Sequence, residues 1–437
     1  PHFEKMLYDQ AMLAMAYTEA YQATGIKEFE ETAKEIFTYV LRDMTDKEGG
    51  FYSAEDADSE GVEGKFYVWT EDEIRQTLKG DEADLIINVY SIDKIGNFRD
   101  EASGENTGAN ILHLNKSLTE IAFKNKESVD GLKESVEAAR QKLFAVRNKR
   151  VHPHKDDKIL TDWNGLMIAA LAKGAQAFDE PKYAEAAKRA ADFILPGMRR
   201  EDGRILHRYR DGHTAILANV DDYAFLIWGL LELYETVFDV DYLQTALDLN
   251  SEMIKYFWDE KDGGFYFTAE DAEELIVRQK EIYDGAIPSG NSVAVSNLFR
   301  LSRITANTDF EDKANKIMLA FSKDVESAPS GYTQMMVALG FGIGPSYEIV
   351  IVGNPEADDT KEMLSSLGKH FIPYKVILLK HDDQETADIT KIAEYTEYHS
   401  SFDGKATAYV CLDFACKMPV TNTEEMLKLL NVSSSSN

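Results

Sequence analysis

The sequence predicts a mainly α fold, a toroid built from repeated helix pairs, with a small α/β module at its C-terminal end. Three observations carry this: one helix-pair plan recurs along the first three quarters, a glycine–aromatic device recurs between pairs, and the pattern changes after Pro345. With 437 residues, the chain can bury more than one core. The expected organisation is a toroid over residues 1–344, incomplete at its N-terminal end, an α/β module over 345–431 and a disordered tail over 432–437.

Each pair opens on a polar residue, runs through a helix rich in Ala, Leu and Met, breaks, and resumes as a more charged helix. The first runs from Tyr8-Asp9-Gln10 to a break at Gly25, then through "FEETAKEIFTYVLRDM". The second is "WNGLMIAALAKGAQAFDE" and "PKYAEAAKRAADFIL", with Pro181 where a first-turn proline is tolerated. The third is "DDYAFLIWGLLELYETVF" with "DVDYLQTALDLNSEMIKYFW", and the fourth "GNSVAVSNLFRLSRITA" with "TDFEDKANKIMLAFSKDV". Small residues in the first helices, such as Ala14, Ala169, Gly229 and Ala294, suit a crowded inner ring. Charge on one side of the second helices suits an outer ring facing water.

Between pairs, Gly49-Gly50-Phe51-Tyr52 is echoed by Gly263-Gly264-Phe265-Tyr266, and "GKFYVWT" from Gly64 is expected to supply a return strand for the first copy. Residues 70–158 are expected to hold a fifth pair with a long insertion, including a helix from about Ser128 to Arg147, and a lone helix is expected near Tyr332 to Leu339. After Pro345, "SYEIVIVG", "YKVILLK" and "ATAYVCLDF" read as strands, with helices over 356–369 and from about Thr423 to Leu430.

A net charge of -30 excludes a nucleic-acid backbone or an anionic membrane as partner, since both would repel the chain. No apolar run is long enough to span a bilayer and no signal peptide opens the chain, so a cytoplasmic location is expected. Cys411 and Cys416 are not spaced as Cys-x-x-Cys, and two reduced, packed thiols are expected.

Polar residues gather where the inner helices start: His2, Glu4 and Asp9; Asp162, Trp163 and Asn164; Asp221, Asp222 and Tyr223; Asp284, Ser289 and Asn291. Any one of them is an ordinary helix cap. As a set, with Tyr8 and Tyr283 nearby, they suit a polyhydroxylated ring whose hydroxyls bond to carboxylates while its apolar face stacks on aromatics. Asp56 and Asp58 begin a loop like a calcium loop, but Tyr67 stands where that template needs Glu. His152 and His154 lack further ligands nearby. No metal and no cofactor are expected.

Stretches such as "PHFEKMLYDQA" at Pro1, "GGFYSAEDADSEGVEGKFYVWT" at Gly49, "PHKDDKILTDWNGLMIAALA" at Pro153, "LANVDDYAFLIWGLLELYE" at Leu217, "AIPSGNSVA" at Ala286 and "YVCLDFACKMPVT" at Tyr409 resemble the spermatogenesis-associated protein 20 family. The resemblance implies an (α/α)6 toroid similar to six-hairpin glycosidases and N-acylglucosamine 2-epimerases. It also implies an upstream thioredoxin-like domain in the parent protein. The family supplies no reaction to transfer, and the epimerase histidine pattern is not evident, with His2 and His207 the available bases. The functional expectation is a carbohydrate-active enzyme of carbohydrate metabolism, glycosidase-like or epimerase-like, acting on a small-molecule or oligosaccharide substrate. Asp162 and Asp222 are its expected catalytic pair, and Asp9, Asp56 and Asp284 position substrate. The alternative is a non-catalytic glycan-, peptide- or partner-binding module working with the thioredoxin-like domain.

Overall fold

The computed structural model describes residues 3–99, 104–273, 275–382 and 388–432. The chain divides into two compact units, Pro1–Lys5 with Ala54–Asp156, and Met6–Ser53 with Asp157–Asn437. His2 and the expected disordered tail beyond Val432 lie outside the described residues.

The smaller unit contains the helices expected to form a fifth pair. They are Glu71–Thr77, Asp81–Val89, Leu118–Asn125 and Val129–Arg147, the last capped by Ser128 as the sequence indicates. Trp69, Ile74, Ile86, Leu132, Val136 and Leu143 give the unit a core of its own. The expected return strand "GKFYVWT" does not form. Instead Asp58–Ser59 pairs with Val62–Glu63 around Glu60 and Gly61, both at positive φ, as a two-residue hairpin turn requires.

The larger unit holds four helix pairs: Leu7–Thr24 with Lys27–Asp43, Thr161–Phe178 with Pro181–Gly197, Val220–Val237 with Val240–Phe257, and Gly290–Thr305 with Thr308–Ala320. A further inner helix, Thr333–Ile343, follows. The first helices of the second, third and fourth pairs are buried on almost every side, the Leu7–Thr24 helix less completely, while the second helices bury one stripe, such as Ala33, Phe37 and Val40. Glycine sets the inner spacing: a Cβ at Gly165 would lie 2.5 Å from the Phe225 backbone, and one at Gly229 would lie 2.6 Å from the Gly165 carbonyl.

Contacts in matching order along successive inner helices make them parallel. Tyr8 meets Trp163 edge-on near the N-termini, and Lys173 reaches Glu19 further along. Asn297 donates to the Ala224 carbonyl, and further along the same two helices Arg300 pairs with Glu232. Their N-termini therefore converge at one end. The larger unit is an α-helical toroid, represented among the described residues by four hairpins and the additional inner helix.

The glycine–aromatic device is an asparagine clamp used twice. Asn164 accepts from the Phe51 N–H (2.8 Å) and donates to its carbonyl (3.0 Å). Asn291 does the same to Phe265 at 2.7 and 2.9 Å. In each copy an aspartate also accepts from the following tyrosine hydroxyl, Asp46 from Tyr52 and Asp259 from Tyr266.

After the ring, Tyr347–Val352 pairs in parallel with Lys375–Lys380 and antiparallel with Thr407–Leu412. Ile349, Ile351, Ile377 and Leu379 face a cluster with Met363, Leu367 and Met426 of the module's helices. Val350, Val352, Val376 and Leu378 face the main core of the ring. Burial on both faces explains the continuous apolar runs, and it places the expected boundary at residue 345 inside one compact unit. The two cysteines correct the expectation of free thiols. Asp413 and Phe414, both at positive φ, turn the chain in two residues and set Cys411 opposite Cys416, where they form a disulfide.

Candidate functional site

At the converging N-termini, one oxygen each of Asp162 and Asp222 and one ring nitrogen of His207 lie within 4.8 Å of one another. Asp162 stands in the first turn of the Thr161 helix and Asp222 in the first turn of the Val220 helix. His207 comes from the strand Leu206–Arg210. That strand is brought alongside by the pairing of Leu160 with Arg208, immediately before the Thr161 helix.

Asp222 is fully buried and its oxygens are engaged from three directions. They accept from the Asn219 N–H at 2.7 Å and the Asp162 N–H at 3.1 Å. His207 Nδ1 lies 2.9 and 3.1 Å from the two of them. Asp222 thus caps one helix, ties down the start of another and fixes the imidazole. Asp162 is half-buried, accepts from the Trp163 N–H at 2.8 Å, and sits beside the Tyr8–Trp163 ring pair.

Proximity spreads the proton affinities of these groups. Burial, then the negative charge of Asp222, holds the Asp162 carboxyl well above the usual carboxylate range. Burial, then Asp222 and Glu281, pushes Asp221 up to about 7. Burial alone would lower His207, but the hydrogen bond and charge of Asp222, with Asp162 and Asp221 adding to them, prevail and raise it to about 9. The site therefore combines an imidazole raised to about 9, a carboxyl group held above the usual carboxylate range and a second carboxyl group poised near neutrality. Such a set can donate and accept protons. It could also offer three ligand atoms to a cation, but Asp222 would have to loosen bonds that organise both helix starts.

Of the residues singled out in the sequence, Asp162, Trp163, Asp221 and Asp222 are brought together, and Asp9 stands in the first turn of the neighbouring Leu7 helix. The others serve the fold or lie elsewhere. Asn164 and Asn291 are the backbone clamps. Asp284 accepts from the Ser289, Gln334 and Met335 N–H groups, and Ser289 caps the Gly290 helix. Tyr223 is buried between Arg204 and Glu252. Glu4, Asp56 and Asp58 are exposed in the smaller unit, where Asp56 accepts from the Asp58 N–H. The sequence offered His207 only as a spare base, because its link to Asp222 depends on strand register.

No family model matches the chain. Human and mouse Spermatogenesis-associated protein 20 are each 34% identical to it over 99% of its length. The chain is a relative of Spermatogenesis-associated protein 20. It spans 58% of the length of those two relatives. An uncharacterized protein of Caenorhabditis elegans is 32% identical over 99% of the chain and 62% of its own length. Among solved structures, this relative of Spermatogenesis-associated protein 20 is similar to a sugar epimerase from a ruminal bacterium, with TM-score 0.45 and 11% identity over 74% of this chain and 61% of that one. It is also similar to the GH76 α-mannanase of Bacteroides thetaiotaomicron, with TM-score 0.40 and 13% identity over 73% and 62%. At such values the chemistry of neither neighbour carries over.

Proposed function

We propose that this chain is a carbohydrate-active enzyme that exchanges protons with a sugar at the N-terminal mouth of its inner helices. His207 and Asp162 serve as proton donors, Asp221 as the acceptor, and Asp222 as the residue that positions His207. The observation that carries the reading is the buried Asp222 carboxylate bonded to His207 Nδ1, with Asp162 in the same cluster. A carboxylate used in this way fixes the imidazole orientation and leaves its other nitrogen to the substrate. This assignment moves Asp222 from the expected acid–base pair to a supporting place, since its oxygens are already engaged by three donors.

Tyr8 and Trp163 offer an apolar surface for the carbon face of a sugar ring next to those groups. We further propose that the greater length of the relatives includes a thioredoxin-like domain working with this one. The test incubates the protein with a panel of monosaccharides and oligosaccharides in D2O. Deuterium entering next to a carbonyl marks epimerisation or isomerisation, and new reducing ends mark hydrolysis. The reading fails if neither appears with any sugar, or if Asp162→Asn leaves the reaction unchanged.

A further inference from the structure

Further along the inner helices, away from the His207 cluster, lies a cavity of about 410 Å³, within the range of small-molecule sites. All five inner helices line it, and the loop before the Lys375–Lys380 strand closes one side. Its charges are mostly matched. Arg300 joins Glu232 at 2.8 Å and Glu235 at 3.0 Å, while Lys173 lies 3.1 Å from Glu19 and 3.6 Å from Glu232.

Two lining groups lack close partners, although Glu235 and Glu232 attract one of them, Lys375, from beyond salt-bridge distance. Lys375 forms no salt bridge among the described residues, and its ammonium makes one long bond, 3.4 Å, to the Ile372 carbonyl. Asn297 is 1% exposed, donates to the Ala224 carbonyl, and leaves its side-chain oxygen buried without a hydrogen-bond partner. A buried acceptor in that state costs stability until a donor reaches it. Trp228 and Phe341 add aromatic wall.

We infer that this cavity binds a small polyhydroxylated organic anion, with its carboxylate on Lys375 and a hydroxyl donating to Asn297 Oδ1. An anion supplies the close contact that the Lys375 ammonium lacks, a hydroxyl supplies what the amide oxygen lacks, and the carbon chain lies against the aromatic wall. A neutral sugar would satisfy only the second requirement.

The test is calorimetric titration of the whole chain with D-gluconate, with D-glucose as the neutral control and inorganic phosphate as an anion without a carbon chain. Saturable gluconate binding is expected, with glucose and phosphate binding about tenfold or more weakly, the equivalent of one lost charge-assisted bond. Lys375→Met should weaken gluconate by a similar factor. Ala16→Trp, an exposed lining residue, should block entry without touching the charged network. Asp162→Asn should leave gluconate binding intact, which separates this site from the proposed reaction. Absence of saturable gluconate binding by the folded protein, equal binding of glucose, or unaltered binding in a folded Lys375→Met variant would each overturn the inference.

Discussion

Replacing Asp222 by Asn tests the link between electrostatics and function at the mouth of the ring. The perturbation is nearly isosteric, yet it removes the charge that holds the His207 proton. In the folded protein His207 is raised from its ordinary 6.5 to about 9. At about 1.4 kcal/mol per pH unit, that elevation corresponds to about 3 kcal/mol of stabilisation. Because the folded value lies above the unfolded one, the contribution is full below pH 6.5, declines as pH rises through 9, and is gone above that. Urea unfolding of both proteins at pH 6 and pH 10 should therefore show a deficit for Asp222→Asn that shrinks by about 3 kcal/mol at the higher pH. NMR titration of the His207 ring should show its midpoint falling toward 6.5. If Asp222 were only a helix cap, Asn would serve almost as well, and the deficit would be small and constant, about 1 kcal/mol or less. A constant deficit together with an unmoved His207 titration refutes the coupling.

Asp221→Asn should stabilise the protein at pH 8 and not at pH 3.5. The folded carboxyl titrates at about 7, so stability is lost as pH rises from the ordinary 3.8, and the gain, discounted for partial exposure, is about 2 kcal/mol by denaturant unfolding. Asn164→Asp should destabilise by about 2–4 kcal/mol, because two buried carbonyls lose their donor and face a carboxylate; equal unfolding midpoints would contradict the clamp. Gly165→Ala should cost about 3 kcal/mol, since the obstacle is backbone and not a movable side-chain tip. Cys411 and Cys416 should resist alkylation in the folded protein until a reductant is added, with mass spectrometry as the readout.

Much of the ring was legible because each pair bears its own punctuation. Gly25 ends the Leu7 helix in the left-handed region, and Pro181 opens the Pro181–Gly197 helix. The site was legible only in part, since caps and catalytic carboxylates share residue types and positions. Asp284 and Asp222 look alike in sequence, and only the hydrogen bonds separate a cap of three backbone N–H groups from a partner of histidine. The charged cavity did leave a trace. Lys173, Glu232 and Arg300 interrupt inner helices that are otherwise apolar and small, but which charges meet depends on how successive helices align. The disulfide was missed because spacing was compared with one redox motif instead of with the span of a two-residue hairpin.

The strand Tyr347–Val352 serves two masters, with odd-numbered side chains in the cluster beneath the module's helices and even-numbered ones in the core of the ring. Parity is therefore a hidden constraint on this segment. A single residue inserted between Gly344 and Tyr347 with the hydrogen-bond ladder kept in place would exchange the two sets and send each to a surface shaped for the other. Two inserted residues would restore the alternation and leave only a loop to absorb. Length changes ahead of the module should thus be tolerated in pairs, although no single position in the connecting segment advertises that rule.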